Sequence, residues 1–126
     1  MIELEKEQII KDIVFVGQNW ESNREKAEGK MAGLLSRFPL CQQCNNDNDG
    51  DIFWVIEEIK SGILIKRCDT NLFSVCSLKC LLDRGLNRKA YYSVVARTGS
   101  GKVFSTGFHG LNATALNDFA RCICGS

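Results

Sequence analysis

Apolar positions repeat at helical spacing over the first third of the chain and in short extended runs after it. Ile9, Ile10, Ile13 and Val14 form a one-sided stripe. They predict a helix over residues 3–15, with Gly17 as its stop. Ala27, Met31, Leu34, Leu35 and Phe38 give a second helix. Ser22-Asn23-Arg24-Glu25 before it fits a capping box, in which Ser and Glu satisfy free N–H groups reciprocally. Pro39, the only proline, closes that helix. Residues 52–56 and 63–67 read as two strands turned at Ser61-Gly62, and residues 73–75 add a short extended piece. A third helix is expected from Cys76 to about Arg84, with Gly85 just beyond it. Residues 91–96 and 102–106 form a second hairpin around Thr98-Gly99-Ser100-Gly101. A last helix starts near Asn112 or Thr114 and buries Leu116, Phe119 or Ala120, and Ile123. The order ααββαββα predicts an α+β fold with antiparallel sheet, in a small single domain. Residues 1–39 form its helical segment and residues 40–126 the remainder.

Composition changes this picture little. The 126 residues are 44% hydrophobic and 25% charged, which is ordinary for a globular chain and excludes global disorder. The longest apolar run, Ile13 to Val16, is far too short to span a bilayer. The start, Met1-Ile2-Glu3-Leu4-Glu5-Lys6-Glu7, is acidic rather than basic then apolar, so a cytoplasmic protein is expected. In that compartment, seven cysteines favour metal or free thiols over disulfides.

The spacing of those cysteines brings in chemistry. Cys41-Gln42-Gln43-Cys44 and Cys76-Ser77-Leu78-Lys79-Cys80 are two close pairs separated by 31 residues. Four thiolates in two close pairs build a closed tetrahedral zinc site, structural rather than catalytic. A knuckle, a hairpin, then a helix carrying the second pair has the order of a treble clef. The run from Leu72 to Leu82 resembles the second half of FCS/TRASH and MYM-type zinc knuckles, which pair C-x2-C with a later aromatic-x-C-S-x-x-C. The resemblance covers residues 40–86 and implies zinc on Cys41, Cys44, Cys76 and Cys80. Here the spacer is longer, and the aromatic lies three residues before Cys76. Cys68 is a rival ligand but reads better as core. Cys122-Ile123-Cys124 carries no function in this reading, because residues two apart do not face each other on a helix.

Net charge is +1, yet residues 1–58 balance to −6 and residues 59–126 to +7. No acid occurs between Arg84 and Asn117. Arg84, Arg88, Lys89, Arg97 and Lys102 are interleaved there with Tyr91, Tyr92, Phe104, Phe108 and His109. Cations for phosphates and aromatic faces for bases are what a nucleic-acid surface needs. The closing strand, Gly107-Phe108-His109-Gly110 and helix are similar to the end of double-stranded-RNA-binding domains and to AP2 and integrase-arm DNA-binding domains.

Two tempting signals fail on their residues. Ala96 to Val103 lacks the first Gly and the Ser or Thr of a phosphate loop. Asn45 to Ile56 lacks the bidentate Glu of a calcium loop. The sequence therefore leads to a non-enzymatic zinc-binding module that takes DNA or RNA through its basic second half. The main rival is a protein-binding adaptor or inhibitor that docks on a partner enzyme through its acidic N-terminal helices. A thiol enzyme using Cys68, Cys122 or Cys124 is a further rival.

Overall fold

A strand buried on both sides organises the molecule. The structure, a computed structural model, describes residues 3–45, 50–60, 68–108 and 110–124. Strand β1 (Ile52–Lys60) pairs antiparallel with β2 (Cys68–Val75) on one side and β3 (Ala90–Arg97) on the other. The short β4 (Val103–Ser105) completes one four-stranded sheet in the order β2-β1-β3-β4. Every residue from Ile52 to Glu57 is buried. A strand reads as such a continuous run when helices cover both faces of its sheet.

Alternation along the strands assigns two cores. Phe53 and Val55 join Phe73, Val75, Tyr92, Val94 and Ala96 on one face. That face is covered by Leu81 of α3 (Leu78–Arg84) and Leu116 of α4 (Ala113–Cys124), with Cys41 and Cys80 at its margin. Ile52, Trp54, Ile56 and Val95 form the other face. Ile9, Ile13 and Val16 of α1 (Glu3–Asn19) cover it together with Met31 and Leu34 of α2 (Arg24–Arg37).

The helices expected from the stripes form, with corrected ends. Helix α1 runs past Gly17 to Asn19. Gly17 is no stop: a Cβ there would sit 2.9 Å from Phe108 Cζ and 2.9 Å from Ser105 Oγ, so it is the point where helix and sheet edge touch. The capping box does not form either. Helix α2 is capped at Asn23 without a side-chain bond, and the Ser22 hydroxyl instead donates to Asn19 Oδ1 at 3.5 Å. The connection is so tight that Asn23 N already bonds Asn19 O at 2.8 Å, which draws Ser22 into the turn.

The first hairpin is longer than its apolar core implies. Strand β1 continues through Glu57 and Glu58 because Glu57 has partners on both neighbours, Asn71 and Tyr92. Its mate is β2, which absorbs the extended piece at residues 73–75. The expected strand at 63–67 and its Ser61-Gly62 turn lie outside the described residues. Helix α3 starts at Leu78, not Cys76, with Ser77 as its cap and Gly85 ending it at φ +88°. Only a residue without Cβ takes that conformation freely. No helix among the described residues is long and apolar enough to cross a membrane.

Candidate metal centre

The end of α2 hands the chain to the first knuckle, which docks on the outer edge of β2. Gln42 N donates to Ser74 O at 2.9 Å, and Ser74 N donates to Gln42 Oε1 at 2.9 Å. The Ser74 hydroxyl donates to Leu40 O at 3.3 Å. Within the knuckle, Asn45 N bonds Cys41 O at 2.9 Å, and Asn45 takes a positive φ of 65° to close the turn. Asn is one of the few residues that tolerates that region. The second pair comes from the exit of β2. Cys76 lies in the bend that follows β2, Ser77 is extended and caps α3, and the Ser77 hydroxyl accepts from Cys80 N at 3.1 Å.

These local structures bring Cys41, Cys44, Cys76 and Cys80 together, each sulfur within 4.8 Å of every other. Cys44 Sγ lies 3.6 Å from Cys76 Sγ, which lies 3.8 Å from Cys80 Sγ. Cys41 and Cys80 are buried, Cys76 is half-buried and Cys44 is exposed. The cluster can hold a metal ion, and its one open side is at Cys44.

Electrostatics divide the four thiols. Burial raises Cys41, but backbone N–H groups of Cys44, Gln43 and Cys76 aimed at its sulfur outweigh that and bring it down to about 6. Cys76 is pushed up to about 12 by burial, then by thiol hydrogen bonds with Cys44, Cys41 and Cys80. For Cys80, the Ser77 hydroxyl bond pulls down, yet burial and the Cys44 and Cys41 sulfurs win and raise it. One thiolate thus suppresses ionisation of its neighbours. A cation in their midst removes that repulsion, since a coordinating thiol is deprotonated outright.

The basic residues are not brought to one place. Arg84 ends α3 with its guanidinium 3.8 Å over the Phe73 ring. Arg88 and Lys89 are exposed just before β3 begins. Arg97 ends β3, with Nη2 donating to Gly50 O at 3.4 Å, and Lys102 is exposed beyond the turn. The strand between Lys89 and Arg97 separates the two groups by roughly 26 Å at 3.3 Å per residue. The turn is moored rather than free: Gly99 N donates to Asp51 Oδ1 at 2.7 Å.

The aromatic residues divide as well. Tyr91 is 44% exposed, whereas Tyr92 is fully buried. The Tyr92 hydroxyl donates to Glu57 Oε2 at 2.6 Å and accepts from Asn87 N at 2.8 Å, and Asn71 Nδ2 donates to Glu57 Oε1 at 3.0 Å. His109 and the side chains of Cys68, Cys122 and Cys124 lie outside the described residues. The spacing of the cysteines announced the cluster, but not the Gln42–Ser74 clamp beneath it. The only hint of that clamp is Ser74, a polar residue inside an otherwise apolar strand end.

No family model, curated protein or solved structure matches this chain. The four-cysteine cluster is compatible with a zinc knuckle and rests on its own geometry.

Proposed function

We propose that the chain is a non-enzymatic zinc-binding module that binds nucleic acid through its basic second half. The observation that carries the metal is the sulfur geometry. Tetrahedral zinc with bonds of about 2.3 Å needs sulfurs about 3.8 Å apart. Cys76 Sγ lies 3.6 Å from Cys44 Sγ and 3.8 Å from Cys80 Sγ, and all four sulfurs lie within 4.8 Å of one another. Four soft sulfur ligands, joined by no His, Asp or Glu among the described residues, also suit a structural ion, because a catalytic zinc keeps one position for water. The ion would fasten the first knuckle to the start of α3.

The nucleic-acid reading rests on charge: +7 over residues 59–126, with exposed Arg88, Lys89 and Lys102. The competing adaptor reading draws on Glu5, Glu7, Glu21, Glu25 and Glu28, all exposed on α1, α2 and their connection. Metal content and thiol titration of the purified, unchelated chain test the metal. About one zinc per chain, with Cys41, Cys44, Cys76 and Cys80 protected until chelation, is expected. A metal-free chain with all four thiols reactive overturns it. Salt-dependent binding to a plain oligonucleotide separates the two partner readings, since the adaptor requires none.

A further inference from the structure

A cleft of about 420 Å³ opens between the α1–α2 connection and the β3–β4 turn. Trp20, Arg24 and Glu21 form one wall, and Gly101, Lys102 and Val103 the other. We propose that this cleft holds a backbone phosphate of the bound nucleic acid, gripped from opposite walls by Arg24 and Lys102. The inference rests on the nucleic-acid reading above and relocates its centre, because one of the two cations comes from the acidic half.

Three observations carry it. Arg24 is positioned before any ligand arrives: its guanidinium lies 4.3 Å over the Trp20 ring, and Nε donates to Trp20 O at 2.9 Å. Its Nη groups hold no hydrogen bond among the described residues, so the end that suits a phosphate is left open. Lys102 is exposed and has no ion-pair partner among the described residues. Arg97 adds positive charge behind it. Arg97 sits opposite Val103 in the β3–β4 register, and its Nε is buried with no hydrogen-bond partner among the described residues. Glu21 is the one acid on the wall and opposes an anion. Its sign supplies an independent check.

The test uses the full metal-loaded chain and a labelled single-stranded oligonucleotide, read by fluorescence anisotropy over a range of salt. R24Q/K102Q is expected to weaken binding about tenfold or more and to flatten the salt slope by roughly 0.7, the share of one phosphate contact on a single strand. K11Q, an exposed lysine away from the cleft, should change neither. E21Q should tighten binding. Unaltered affinity and slope in R24Q/K102Q, with the unmodified chain binding normally, overturns the cleft and leaves the nucleic-acid reading standing. If the unmodified chain binds no oligonucleotide, that reading falls. The cleft is then judged by pyrophosphate. Trp54 is fully buried, so an exposure-dependent change in tryptophan emission reports Trp20. A saturable change lost in R24Q/K102Q supports the cleft, and silence overturns it.

Discussion

Tyr92 and Glu57 face each other across β3 and β1, and together they hold the end of the sheet where Arg84 and Asn87 also lie. Burial, then the bond to Glu57, raises the Tyr92 hydroxyl from 10 to about 12. A raised value means the neutral hydroxyl is the one the fold prefers. Its contribution is therefore complete below pH 10 and is lost as pH climbs through about 12. Y92F should lack this alkaline loss, and should cost about 1–3 kcal/mol at neutral pH because Glu57 keeps a buried acceptor without its donor. Denaturant midpoints of both proteins at neutral and alkaline pH check both statements. Ser77 is the second decisive residue. S77A should cost about 1 kcal/mol through the lost cap. It should also weaken metal retention in a chelator competition, because the hydroxyl aims Cys80 N at the start of α3.

Among the elements, α1 shows how a local signal can be read for the wrong reason. Gly17 ends nothing; it lets the helix touch Ser105 and Phe108. G17A should gain helix propensity yet lower stability by about 1–3 kcal/mol, since the added carbon has no room. A higher thermal midpoint in G17A would remove that account of the glycine. The apolar stripes were legible because one helix face makes them. The cysteine cluster was legible because each pair comes from a single turn. The continuation of β1 through Glu57 was not, because its partners Asn71 and Tyr92 come from other strands. The same holds for the cleft: nothing local ties Arg24 to Lys102, and Arg97 and Lys102 looked like one surface with Arg88 and Lys89 until β3 set them apart.

For the whole molecule, the sheet is common property of two cores. Trp54 and Val55 are neighbours on β1, one facing α1 and α2, the other facing the knuckle side. Loosening either layer therefore loosens both. If the cysteine cluster holds the proposed ion, stripping it should lower the thermal midpoint in one transition, seen alike by backbone circular dichroism and by tryptophan fluorescence. Two separated transitions would mean that the layers are energetically independent. The α+β class and the number of helices could be read from the chain. The joining of the two hairpins through β1 and β3 could not, because it depends on non-local pairing. The Gln42–Ser74 clamp has a consequence for solubility. It occupies the outer rim of β2, where Lys6 Nζ also reaches Thr70 O at 2.7 Å. An uncovered strand rim is a template for a second chain. If the ion fastens the knuckle there, it is also a guard against self-association, and a chelated sample should scatter light in a concentration-dependent way that restored metal prevents.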